Sequence, residues 1–188
     1  ETGTITYGGS CSSGITSATS GNNTITLVSL SDGTYSNCTI IVTDSAGNVS
    51  NTLSITSFTV DTTAPTVAQV TTVTTPTNDT TPNYTFSTNE AGTITYGGSC
   101  SSGTTSATSG NNTITLVSLS DGTYSNCTII VTDSAGNASS ALSVSTFVVD
   151  TTAPSVSSFT LSDTALITGD TATVTLVFSE AVASFSSS

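Results

Sequence analysis

Asp61 and Asp150 each end an apolar run and open the same polar hinge, in the repeated sequence VDTTAP. They belong to a chain with 12 acidic residues and no Lys, Arg or His, so its formal net charge is −12. Carboxylates with no neighbouring base suit a hard divalent cation, and calcium takes about six to eight oxygen ligands. The same composition removes other chemistries. Without His there is neither a Ser–His nucleophile nor an imidazole metal site. Glycoside cleavage needs paired carboxylates in a cleft, and these acids lie in turns with only 6 % aromatic residues in the chain to line one. GGSCSSG has the glycines of a phosphate loop but no Lys and no following helix. The chain therefore reads as non-enzymatic. Nucleic-acid phosphates and anionic lipid both call for cations that it lacks, so neither nucleic acid nor direct membrane contact is expected.

The acids are placed by an internal repeat. GTITYGGSCSSG, beginning at Gly3, returns at Gly92, an offset of 89 residues that the cysteines and both VDTTAP hinges share. A period of about 90 residues matches a small domain with its own core. The phase gives a partial domain at 1–61, a linker at 62–65, a complete domain at 66–150, a second linker at 151–154, and the opening of a third, divergent domain at 155–188. Within the complete period, Tyr84 and Phe86 alternate with Thr, as do Ile94 and Tyr96, and Ile114 and Leu116. Two-residue alternation between Gly, Asn, Asp and Ser turns predicts strands with one buried face. Strands are expected near 67–73, 83–88, 92–97, 103–107, 112–118, 123–132 and 139–149. About seven strands in this length is the count of an immunoglobulin-like sandwich. The expected fold is all-β, a tandem, elongated array of such sandwiches. Asp121-Gly122-Thr123-Tyr124 fits the corner in which a Tyr hydroxyl returns to the backbone, although an ordinary Asp-Gly turn before a core Tyr reads the same way.

Four cysteines fall in two equally spaced pairs. Regular, even spacing in a small polar module reads as one disulfide per repeat, Cys11–Cys38 and Cys100–Cys127, in an oxidising compartment. Free buried thiols and a zinc site are the competing readings. If the strands at 92–97 and 123–132 are antiparallel neighbours, each pair meets within one sheet.

The same topology gathers the acids. The turns holding Glu90 and Asp133–Asn137 lie at the end where the chain enters the complete domain, beside the hinge that carries Asp61. Asp61, Glu90, Asp133 and Asn137 are thus expected at one junction, with hinge carbonyls to complete a calcium shell. Asp150 and Glu180 repeat the arrangement at the next junction, and Glu1 and Asp44 at the start of the chain. Asp121 is assigned to the corner and not to the joint. The competing reading makes all these acids solubilising surface residues. The turn DSAGN alone lacks the alternating acids of an EF-hand loop.

DGTYSNCTIIVTDSAGN, followed by a strand and VDTTAPTV, resembles the bacterial Ig-like repeats of very large secreted surface proteins, including RTX-type and biofilm adhesins. LSDTALITGDTATVTLVFSEAV is similar to a second bacterial Ig-like class in the same proteins. The resemblance implies rod-like tandem arrays at the cell surface, often stiffened by calcium at domain junctions, which supports ligand roles for Asp61, Glu90, Asp133, Asp150 and Glu180. The cysteine pairs depart from most such repeats. It implies an extracellular spacer or stalk whose partners are neighbouring repeats of its own chain, with an unknown surface ligand bound elsewhere. An alternative is a subunit of a surface filament or surface layer, copies of the chain joining by strand complementation or lateral packing. A carbohydrate- or protein-binding module is a weaker alternative.

Overall fold

A computed structural model describes residues 1–182; residues 183–188, the last of the stretch expected to open a third domain, lie outside the described residues. All regular structure among the described residues is β. The first segment carries β1 (Gly3–Gly8), β2 (Ser17–Ala18), β3 (Gly33–Tyr35), β4 (Thr39–Asp44), β5 (Leu53–Ser54) and β6 (Phe58–Val60). They form a sheet of order β2-β1-β4-β5 and a β3-β6 pair. The second segment carries β7 (Val67–Thr71), β8 (Asn83–Thr88), β9 (Gly92–Gly97), β10 (Ser106–Ala107), β11 (Gly110–Thr115), β12 (Gly122–Tyr124), β13 (Thr128–Thr132), β14 (Leu142–Ser143) and β15 (Phe147–Val149). Here the sheets are β10-β9-β13-β14 and β11-β8-β7, with β12 paired to β15. Beyond the second hinge, β16 (Val156–Leu161) pairs antiparallel with β17 (Val174–Phe178).

One core fills the second segment. Tyr84 and Phe86 from β8, Ile94 from β9, Ile114 from β11, Ile129 and Val131 from β13, and Phe147 and Val149 from β15 form a single buried cluster. The alternation read from the sequence is the alternation of burial: in β8, Tyr84, Phe86 and Thr88 are buried while Asn83, Thr85 and Ser87 are not. Burying side chains such as Phe86 and Phe147 stabilises the fold by about 1.5–3 kcal/mol each.

Two expected strands are broken, for an identifiable reason. The run 123–132 divides into β12 and β13 because Asn126 and Cys127 are engaged sideways. Asn126 Oδ1 accepts from Ser99 N at 3.1 Å, and Cys127 is bonded to Cys100. The run 139–149 divides in step: β14 pairs with β13, and β15 with β12. The strands expected at 67–73, 103–107 and 112–118 are observed at 67–71, 106–107 and 110–115.

Residues 20–48 and 109–137 have identical sequences, yet Gly110–Thr115 is a strand and residues 21–26 are not. β11 exists by pairing with β8 along its whole length, and the first segment contains no counterpart of β8. Ile114, Leu116 and Leu119 are buried, whereas their equivalents Ile25, Leu27 and Leu30 are half-buried. A strand needs a partner for its backbone groups, so local sequence alone does not make one.

Candidate cation site at the junction

The site is built from three turns. Asp61 follows β6 and begins the linker. Its Oδ1 accepts from Thr63 N at 3.0 Å, which folds the linker back on itself. Glu90 lies in the β8–β9 turn, where Thr88 Oγ1 donates to its carbonyl at 3.0 Å. Asp133 heads the turn after β13, which Gly136 closes with φ of +96°, a left-handed conformation that glycine adopts without a steric penalty. The linker joins the second segment directly: Thr66 N donates to Asn89 Oδ1 at 2.7 Å.

One carboxylate oxygen from each of Asp61, Glu90 and Asp133 lies within 4.8 Å of the others. Among the described residues this is the one such group of three or more acidic or other metal-ligating side chains. Asp133 is the most buried, at 9 % exposure. Its Oδ1 accepts from Ala135 N at 2.8 Å and Asn137 N at 2.9 Å, and its Oδ2 from Asn137 Nδ2 at 2.9 Å. Burial works to raise its pKa, but these hydrogen bonds, led by the Asn137 side chain, outweigh it and hold the carboxyl below the ordinary aspartate range. The group therefore stays ionised. With no Lys, Arg or His in the chain, no side-chain cation offsets the cluster.

Asn137 enters differently from the expectation. It offers its side-chain nitrogen, donating to Asp133 Oδ2 at 2.9 Å and across the junction to the Asp61 carbonyl at 3.0 Å. It braces one carboxylate and ties the linker backbone to the turn. The other expected groups are less complete. Asp150 and Glu180 are not gathered with a third acid among the described residues; Glu180 Oε1 is buried without a hydrogen-bond partner. Asp44 repeats the turn of Asp133, accepting from Asn48 Nδ2 at 2.8 Å, and Glu1 shares a shallow depression with it.

Asp121 corrects the sequence reading. It belongs to the corner as expected, since Tyr124 Oη donates to Ser120 O at 2.9 Å. Its carboxylate, however, also holds the outgoing linker. Oδ1 accepts from Thr151 N at 3.0 Å and Thr151 Oγ1 at 2.7 Å, and Oδ2 from Thr152 Oγ1 at 2.9 Å. Asp32 makes the same three contacts with Thr62 and Thr63. The signal was present as an Asp-Gly and a Thr-Thr that recur together in both repeats, but the roughly 30 residues between them hid the contact.

The model of the bacterial Ig-like domain matches residues 2–62 and 69–151, well over half of the chain. The chain belongs to the bacterial Ig-like domain family. No curated protein matches it. The two matched Ig-like segments end at Thr62 and Thr151, the threonines held by Asp32 and Asp121. Each Ig-like segment carries one disulfide, Cys11–Cys38 and Cys100–Cys127, with Cα atoms 5.2 Å apart. In the second, Cys100 follows β9 and Cys127 precedes β13, so the bond ties two antiparallel neighbours of one sheet. These disulfides fit an oxidising environment, and an Ig-like repeat with them fits a surface protein.

Proposed function

We propose that these Ig-like repeats are extracellular spacer units in the stalk of a large bacterial surface adhesin, stiffened by calcium at the domain junctions and by one disulfide per repeat. The observation that carries the reading is the cluster of Asp61, Glu90 and Asp133. Two oxygens on opposite sides of one calcium stand about 4.8 Å apart, twice the Ca–O distance of about 2.4 Å. The three carboxylate atoms fall within that span. Like charges held so close are costly without a cation between them. Asp61 comes from the linker and the other two from the following repeat, so one ion bound to all three fixes the angle between units. Rigid, repeated units whose acids serve their junctions suit a spacer that projects a separate binding domain.

Calcium titration of the full chain, read by calorimetry and by small-angle scattering, tests the proposal. The expected result is saturable binding that narrows the spread of shapes relative to chelator, with both effects lost in Asp61→Asn and weakened in Asp133→Asn. Identical scattering in calcium and chelator would refute the joint and leave the acids as surface groups.

A further inference from the structure

The linkers are gripped from behind as well as ahead. β3 and β6 are in register with Gly33 opposite Val60, so Asp32 and Asp61 lie just past the last ladder pair. Asp32 Oδ1 accepts from Thr62 N at 3.1 Å and Thr62 Oγ1 at 2.8 Å, and Oδ2 accepts from Thr63 Oγ1 at 2.9 Å. Both oxygens are engaged, and all three donors belong to the two residues after Asp61. The second linker repeats this with Asp121, Thr151 and Thr152. Three donors on one carboxylate are charge-assisted hydrogen bonds of the stronger kind. The Tyr35 hydroxyl, donating to Ser31 O at 2.8 Å, fixes the corner from which Asp32 reaches out. None of these groups belongs to the carboxylate cluster.

We infer that Asp32 and Asp121 are positioning residues, latches that fix the direction in which each linker leaves its repeat before any cation binds. Asp32 thereby holds Asp61 where it meets Glu90 and Asp133. The consequence for cation affinity rests on the calcium reading; the latch itself does not. Threonine suits both linker positions because its hydroxyl sits on Cβ, close enough to reach the carboxylate that its own or its neighbour's N–H faces. Without the latch, two linker residues must be ordered when the cation binds, which weakens binding about tenfold or more.

The test uses the full chain and separates charge from geometry. Asp32→Ala removes the acceptor. Thr62→Val with Thr63→Val removes two donors and keeps every charge. Asp32→Asn keeps one side-chain acceptor, and Asp163→Asn removes an equal charge elsewhere. The first readout is amide hydrogen exchange at Thr62 in chelator. Exchange should speed up about tenfold or more in Asp32→Ala, less in the threonine pair, and be partly restored in Asp32→Asn. The second is calcium affinity by calorimetry, which should fall about tenfold in both Asp32→Ala and the threonine pair but not in Asp163→Asn. Unchanged Thr62 protection in Asp32→Ala overturns the latch. Lost protection with unaltered calcium affinity overturns its positioning role. If the wild type binds no calcium, the calcium reading fails, and Thr62 protection in chelator still decides the latch.

Discussion

Removing the Cys100–Cys127 bond, as Cys100→Ala with Cys127→Ala in the full chain, should lower both thermal and mechanical resistance of the second Ig-like repeat. The cysteines are 27 residues apart, and closing a loop of that length restricts the unfolded chain by about 3.5 kcal/mol in the chain-entropy account. For a domain of this size, about 1 kcal/mol moves the melting temperature by about 4–8 °C, so the melting of this repeat should fall by about 14–28 °C. Both sulfurs are buried, Cys100 at 5 % and Cys127 at 1 % exposure, so the cavities left by Ala push in the same direction. Calorimetry on the variant and the wild type measures the shift. Single-molecule pulling provides a second, geometric measure. While the bond is intact, the chain between the two cysteines, 27 positions apart, cannot extend, and the bond spans only 5.2 Å between Cα atoms. The contour length released on unfolding should therefore grow by roughly 85 Å when the bond is absent. A melting shift below about 5 °C, or equal contour increments with and without reductant, would refute the reasoning. It would mean that the bond does not restrain the part of the chain that unfolds.

The remaining predictions follow from single contacts. Tyr124→Phe removes the hydroxyl that donates to Ser120 O and should cost about 1 kcal/mol in denaturant unfolding, with the ring stack on Phe147 retained. Ile114→Ala should cost about 2–5 kcal/mol in denaturant unfolding because Ile114 is 1 % exposed; a loss below about 1 kcal/mol would contradict its place in the core. In the folded chain the carboxyls of Asp32 and Asp121 are held below the ordinary aspartate range, foremost by the side-chain hydroxyls of Thr62 and Thr151 respectively. Folding therefore favours their ionised forms. Their contribution is complete above the unfolded aspartate pKa and is lost as pH falls through the lower folded value, so Thr62 and Thr151 amide protection should collapse only in acid and stay flat between about pH 6 and 9 once intrinsic exchange rates are divided out.

The sequence by itself determined what depends on local pattern and on counting. Two-residue alternation placed β8 and β9 at their observed bounds, because burial on one face of a strand is written directly into residue type. The Cys spacing, joined to the adjacency of two strands, placed the disulfides within one sheet. Even the meeting of Asp61, Glu90 and Asp133 was legible, since a sandwich topology decides which turns share an end. Tertiary structure alone decided the rest. Residues 109–137 repeat the words of 20–48, and Gly110–Thr115 is a strand because it pairs with β8 along its whole length, a partner that its own local pattern does not name. The breaks between β12 and β13 and between β14 and β15 follow from Asn126 and Cys127 turning toward Ser99 and Cys100, contacts 27 residues distant. Asp121 looked like a corner residue because its neighbours in sequence form the corner. It does belong there, but its carboxylate also holds threonines about 30 residues away. No local pattern marks that choice, because a hydrogen bond depends on where folding puts the donor and not on how far along the chain it lies.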